Sequence, residues 1–269
     1  MKRFVIIAGG IALLAILMVF ATRPAVLTAG DLPRHKANES NGERMFNAGG
    51  CASCHSSTED RSQPPLLGGG LTMNTPFGVF RVPNISTDPT SGIGHWSLLD
   101  FVNAMQKGTS PDGRHYYPAF PYASYSRMNL EDLVDLKAYL DTLPAVDTQN
   151  EGHSLKFPWN IRAGIGFWKI INLDSTAVIS VPLDDEKLVR GRYLVEGPGH
   201  CGECHTSRDW TGGMDKGRWL AGAPNPDGEG KVSNITPHEN GLAGWSEGDI
   251  DYYLESGFTP DFDTAGGSL

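Results

Sequence analysis

All four cysteines of this 269-residue chain fall in two copies of one pentapeptide pattern, Cys51-Ala-Ser-Cys54-His55 and Cys201-Gly-Glu-Cys204-His205. C-x-x-C-H is the attachment signature of c-type haem. Two thiols at this spacing can add across the two vinyl groups of one porphyrin, and the next residue aims its imidazole at the iron. Cys51, Cys54, Cys201 and Cys204 are therefore the candidate thioether residues, and His55 and His205 the candidate proximal iron ligands. Competing uses of paired cysteines are a zinc site, a thioredoxin-like redox pair and a disulfide framework. Zinc would need the two pairs to share one tetrahedral site, although each already carries its own histidine. A redox pair does not require that histidine, and here it occurs twice.

The chain also repeats itself. Cys51 corresponds to Cys201, and Asn84-Ile85-Ser86 to Asn234-Ile235-Thr236 at the same offset. After a slip of one residue, Gly94-His95-Trp96-Ser97 corresponds to Gly244-Trp245-Ser246, Asp100 to Asp249, Gly108 to Gly257 and Pro111-Asp112 to Pro260-Asp261. Each unit is about 100 residues, an ordinary size for a small domain.

At the N-terminus, Lys2 and Arg3 precede an unbroken apolar run over residues 4–21, which ends at Thr22-Arg23-Pro24. At helical rise it covers about 27 Å, close to the roughly 30 Å hydrocarbon core of a bilayer. A retained membrane anchor is the preferred reading; a cleaved signal peptide, with Val19-Phe20-Ala21 as its cleavage site, is the rival. In both cases the positive end stays in the cytoplasm and the rest is exported, where haem c is attached. The expected location is thus extracytoplasmic, anchored to the inner membrane with the haem domains in the periplasm.

Gly 33 and Pro 18 describe a loop-rich chain, as suits a fold in which haem replaces part of the apolar core. The formal charge of −9 argues against nucleic acid and suits docking to a complementary protein surface, although solubility alone also accounts for it.

Pattern reading places a short helix over residues 41–47, leading through Gly49-Gly50 into the first pentapeptide. Residues 64–70 and 75–89 are too rich in Pro and Gly for helix. Ser97 caps a helix over residues 98–106 that stops at Gly108, residues 111–126 form a loop, and Asn129 caps a closing helix with Leu133, Leu136, Tyr139 and Leu140 on one face. This is the order of elements in a class I cytochrome c domain. The expected fold is mostly α: an anchor over residues 1–24, a linker over 25–39, a cytochrome c domain over 40–143, an interdomain linker over 144–185 and a second cytochrome c domain over 186–269.

Three phrases carry a more specific resemblance: Val82-Pro83-Asn84-Ile85-Ser86-Thr87-Asp88, Gly92-Ile93-Gly94-His95-Trp96-Ser97, and the run from Pro111-Asp112-Gly113 to Phe120-Pro121-Tyr122. They resemble the haem-loop and distal-loop motifs of the bacterial di- and tri-haem cytochrome c subunits that serve membrane-bound alcohol, sugar and aldehyde dehydrogenases. The second unit, from Ser233-Asn234-Ile235-Thr236-Pro237 through Gly257 to Asp263, is similar to the second domain of dihaem members. The resemblance covers nearly everything from about Gly42 onward. It implies two covalent haem c groups and an electron-transfer role. Electrons would pass from a periplasmic dehydrogenase, often a quinoprotein or molybdenum enzyme, toward quinone or a terminal oxidase.

Relatives often read Pro-Ala-Met-Pro-Tyr in the distal loop and take the sixth iron ligand from that methionine, whereas Phe120 stands here. Met128 is the candidate substitute, with Met105, Met73 and His115 as alternatives and a core methionine as the bland reading of Met128. In the second unit the same offset sets Leu269 opposite Phe120. The expectation is an incomplete sequence, with an open iron or a ligand such as His238 as alternatives; Met214 is read as a packing or loop residue.

Trp96 and Trp245 are read as crevice-filling residues rather than electron relays, and His95 as a surface residue. Asn84 and Asn234 could serve a haem propionate or a loop. The aromatic stretch Phe157-Pro158-Trp159-Asn160-Ile161-Arg162 and Phe167-Trp168-Lys169-Ile170-Ile171 is expected to pack between domains, with a membrane-surface or docking role as its rival. An electron carrier is the expected function and a peroxidase-like dihaem enzyme the alternative.

Overall fold

The computed structural model describes residues 9–10, 18, 20–56, 64–182, 184–225 and 230–264. It is mostly helical. In chain order α1 is Glu39–Ala48, α2 Cys51–His55, α3 Leu98–Lys107, α4 Tyr122–Tyr125, α5 Leu130–Leu140, α6 Gly164–Asn172, α7 Glu186–Glu196, α8 Gly202–His205 and α9 Glu247–Ser256. Two small sheets complete it: β1 (Thr72–Thr75), β2 (Gly78–Arg81) and β3 (Ser154–Leu155), and separately β4 (Ala223–Pro224) with β5 (Lys231–Val232).

The core lies between α1, α3 and α5. Met45 and Phe46 of α1, Phe101, Val102 and Met105 of α3, and Leu133, Leu136 and Leu140 of α5 form one buried cluster with Met128. Apolar side chains three and four apart on each helix meet here, which is what converts their spacing into stability. Helices α1 and α5 cross backbone against backbone at Gly42, because a Cβ there would lie 2.0 Å from the Asp135 carbonyl oxygen. Buried Asp135 clamps the crossing: its carboxylate accepts from the Asn38 amide at 2.7 Å and Asn41 Nδ2 at 2.8 Å, and lies 2.7 Å from His35 Nε2. Desolvation pushes its pKa up, but these hydrogen bonds outweigh it and hold the carboxyl below the ordinary value.

The expected starts and stops of α3 hold to one residue. Ser97 and Asp100 form a reciprocal capping box, and Gly108 ends the helix with φ 57°. The same box and stop recur on α9 with Ser246, Asp249 and Gly257. Four expectations need correction. The expected loop over 111–126 contains the helical turn α4. The start of the expected 75–89 loop belongs to a hairpin over residues 72–81, since β2 is held on its far side by β3, a partner remote in sequence. Asn129 occupies the cap position of α5 without a side-chain capping bond; its backbone N–H donates instead to Tyr193 Oη. Finally, of the stretch expected to pack between domains, Phe157, Trp159, Ile161, Phe167, Ile170 and Ile171 are exposed, whereas Trp168 does lie between the two units, its ring 6.1 Å from that of Tyr122 and its Nε1 beside Gly212. Most of the apolar run at residues 4–21 lies outside the described residues, among which no helix is long and apolar enough to cross a membrane.

Candidate functional site

Each C-x-x-C-H pentapeptide is built on a left-handed turn running into a single helical turn. Gly50, just before Cys51, has φ 55°, and His200, just before Cys201, has φ 39°. A glycine adopts that conformation freely, whereas a histidine is strained in it.

Both histidines are then fixed in the same way. His55 Nδ1 lies 2.8 Å from the Pro83 carbonyl, and His205 Nδ1 lies 2.8 Å from the Ser233 carbonyl, 28 residues onward in each case. A carbonyl can only accept, so Nδ1 carries the proton and Nε2 presents its lone pair. That is the tautomer and orientation a haem iron requires. Burial lowers the pKa of His55, which favours the neutral, ligating form.

The loops that hold these carbonyls also match. The amide of Gly69 donates to the His55 carbonyl at 2.7 Å and that of Gly222 to the His205 carbonyl at 2.8 Å. Ile85 donates to Leu67, and Ile235 to Leu220, both at 3.0 Å. Asn84 Oδ1 accepts from the Ser86 amide and Asn234 Oδ1 from the Thr236 amide, each at 2.8 Å, while Asn84 Nδ2 donates to Val146 and Thr148 carbonyls. The two asparagines therefore brace a loop.

The crevice beside the first pentapeptide is lined by Met45, Gly49, Cys51, Met105, Tyr125, Met128, Leu136 and Pro198, with no charged side chain among them. An open depression at Pro182 and residues 184–187 has none of this chemistry. Burial pushes the Cys51 thiol up to about 12 and raises that of Cys201, so neither is a ready thiolate. Among the described residues no group of three His, Cys, Asp or Glu could hold a metal ion, and Cys51, Cys54 and Cys201 are in no disulfide. These observations leave the zinc, redox-pair and disulfide readings without a site. The residues present fit haem in their chemistry: paired thiols, an oriented Nε2 and an apolar wall. A buried polar atom without a protein partner also lies close to each motif, Ser56 Oγ at the first and Trp219 Nε1 at the second. Trp219 packs against Gly202 inside the second pentapeptide, where a Cβ would meet the ring at 2.3 Å.

Of the sixth-ligand candidates, Met128 and Met105 both reach the first crevice, and Met128 is 3% exposed. Met73 pairs with Phe80 on the hairpin, and His115 Nε2 lies 2.8 Å from the Thr22 carbonyl. In the second unit His238 is exposed with its Nδ1 accepting from the Asn240 amide, and Met214 is half-buried in a bridge to Arg208. Trp96 packs on the main core, Trp245 stands edge-on to Tyr253 at 5.5 Å, and His95 is exposed.

The two pentapeptides adjoin. His200 Nε2 lies 3.1 Å from the Gly49 carbonyl, its ring stands 5.6 Å from that of Tyr125, and Ser124 Oγ donates to Glu203 Oε1 at 2.8 Å. Pro198, from the turn before Cys201, closes the wall of the first crevice. The role of His200 was not visible in the sequence, although its alignment with Gly50 was the available signal.

A family model described as "Cytochrome c" matches residues 39–144. The chain is 52% identical over 231 residues to a "Diheme cytochrome c-type" protein of Cereibacter sphaeroides, covering 86% of this chain and 77% of that one. It is 35% identical over 235 residues to the fructose dehydrogenase cytochrome subunit of Gluconobacter japonicus, 86% of this chain and 47% of the other. It is also 35% identical over 224 residues to the cytochrome c subunit of the quinone-type alcohol dehydrogenase of Gluconobacter oxydans, 80% and 46%. The chain thus spans about half the length of the two dehydrogenase subunits. With its paired attachment motifs and the extent of its match to the first of these relatives, the chain belongs to the dihaem c-type cytochromes.

Proposed function

We propose that this protein is a two-domain electron carrier that takes electrons from a dehydrogenase and passes them to the respiratory chain. The domains are residues 40–143 and 186–269, joined by residues 144–185. The observation that carries the reading is the repeated clamp on the proximal imidazoles, His55 to Pro83 and His205 to Ser233, at the same spacing and length. When bound, each haem supplies one-electron chemistry at its iron. The chain's own residues do the rest. Cys51, Cys54, Cys201 and Cys204 hold the porphyrins; His55 and His205 ligate. Met45, Met105, Tyr125 and Leu136 exclude water from the first crevice, and the contact of His200 with Gly49 and Tyr125 keeps the two sites together. Met128 is the sixth ligand of the first iron in this reading: its thioether is buried in that crevice, and a methionine ligand raises the potential.

The donor in this reading is a dehydrogenase, by analogy with the fructose and alcohol dehydrogenase relatives; that it is periplasmic and of quinoprotein or molybdenum type follows from the motif resemblance. The acceptor is a quinone or a terminal oxidase. Residues 4–21 anchor the chain in the inner membrane with the haem domains outside the cytoplasm. The peroxidase-like alternative finds no support among these relatives. The test is stopped-flow absorbance of the haem-loaded full chain mixed with a substrate-reduced quinoprotein alcohol dehydrogenase and a short-chain ubiquinone. Reduction of both haems followed by reoxidation supports the proposal. Rapid peroxide turnover by haems that the dehydrogenase leaves ferric would overturn it.

A further inference from the structure

Helix α6 is inside out. Its inward side carries Lys169, 8% exposed, whose Nζ donates at 2.7 Å to the carbonyls of both Lys107 and Gly108 and so caps the end of α3. Its outward stripe carries Phe167, Ile170 and Ile171, the two isoleucines each 63% exposed. The preceding loop adds Phe157, Trp159 and Ile161, exposed at 78%, 52% and 52%. These six side chains share one stretch of chain, and a surface this apolar on an exported protein has a partner.

The composition of the stretch says which. Between Glu151 and Asp174 the chain carries no carboxylate, and besides the inward-turned Lys169 its charges are Lys156 and Arg162, in a chain whose formal charge is −9. Bulky aromatics and aliphatics flanked by cations are what the interface of an anionic bilayer favours. Tryptophan is the residue most at home at that depth.

The geometry supplies the second argument. The apolar run of residues 4–21 joins the body of the protein at Thr22, and Thr22 is seated on α6. A Cβ at Gly166 would lie 2.5 Å from Thr22, and the Thr22 carbonyl lies 2.8 Å from His115 Nε2. Arg23, exposed beside this junction, adds a further cation. The chain therefore leaves the folded body at α6, the helix that carries the exposed stripe.

We infer that the surface formed by Phe157, Trp159, Ile161 and the outer stripe of α6 lies in the headgroup region of an anionic phospholipid bilayer, fixing how the haem domains sit above the membrane. The inference rests on reading residues 4–21 as an anchor, and the experiment separates the two. All four native cysteines are consumed by haem attachment, so one introduced by Ile170→Cys is the only free thiol. The haem-loaded full chain with Ile170→Cys, and separately with Leu254→Cys as a control at an exposed apolar residue of α9, is placed in phosphatidylethanolamine and phosphatidylglycerol vesicles. Flotation reports anchoring. The rate of modification by a charged, membrane-impermeant maleimide, normalised to the unfolded chain, reports burial of the site. The expected result is flotation of both variants, with Ile170→Cys modified at least about tenfold more slowly than Leu254→Cys. Flotation with equal rates overturns the inference and leaves the anchor standing. Failure to float overturns both. Protection of Ile170→Cys that develops only when the dehydrogenase is added assigns the face to protein docking and overturns the membrane assignment.

Discussion

Replacing Gly42 by alanine sets two effects of opposite sign against each other. In the interior of α1, alanine is the better helix former by about 1 kcal/mol, so propensity alone raises stability. The crossing with α5 opposes it, because the new Cβ would fall 2.0 Å from the Asp135 carbonyl oxygen, 2.6 Å from its carbon and 2.7 Å from Tyr139 Cβ. Two of these atoms are backbone and cannot turn aside, so the helices must part. Overpacking of this kind costs about 1–3 kcal/mol, and the upper end applies when backbone has to move. Parting the helices also loosens Met45 and Phe46 against Leu133 and Leu136. The net expectation is a loss of about 2 kcal/mol, which lowers Tm by roughly 10 °C in a domain of this size. Gly191, inside α7 with nothing within 4 Å of its Cβ position, is the internal control, and alanine there is expected to stabilise by up to about 1 kcal/mol. Thermal unfolding of the haem-loaded full chain, followed by far-ultraviolet circular dichroism, reads both. If Gly42→Ala raised Tm alongside Gly191→Ala, the backbone-tight crossing would be wrong.

Asp135→Ala is expected to lower stability by about 1–3 kcal/mol in denaturant titrations, since it removes the carboxylate that accepts from the Asn38 amide and the Asn41 side chain, Asn41 Nδ2 keeping only Asp132. The folded-state pKa of Asp135 lies below its ordinary value of 3.8, so its contribution is complete above that value and is lost as pH falls through the folded pKa; acid titrations of parent and variant should converge there. Tyr193→Phe removes the hydroxyl that donates to Asp132 and accepts from the Asn129 amide, and is expected to cost about 1–3 kcal/mol by the same titration. Gly202→Ala drives a Cβ into the Trp219 ring, so attachment at the second motif should fall while the first is retained, as counted by haem-peptide mass spectrometry.

What could be read from the chain depended on how local the cause was. The pentapeptides, the Ser97 cap and the glycine stop at 108 act within a few residues, and each was legible; Ser246 and Gly257 were visible only as their counterparts in the repeat. The hairpin at residues 72–81 was not, because β2 depends on β3 more than seventy residues away. The proximal clamps use backbone carbonyls, which no side-chain pattern reveals, although the shared offset of 28 residues shows how regular they are. The aromatic stretch was visible as apolar, but only Lys169 turning inward shows that its apolar stripe faces out. Asn129 sits at a helix start yet leaves its side chain unused, because Tyr193 from α7 takes the backbone there.

The most direct measurement of the central claim is the electron paramagnetic resonance spectrum of the ferric, haem-loaded full chain beside its Met128→Leu variant. Leucine keeps the packing of the first crevice while removing the thioether. Electron transfer through a six-coordinate first haem requires a low-spin signal for that haem in the parent and its conversion to high spin in the variant, with Met105→Leu unchanged. A first haem that is already high-spin in the parent, or that stays low-spin without Met128, would contradict the account.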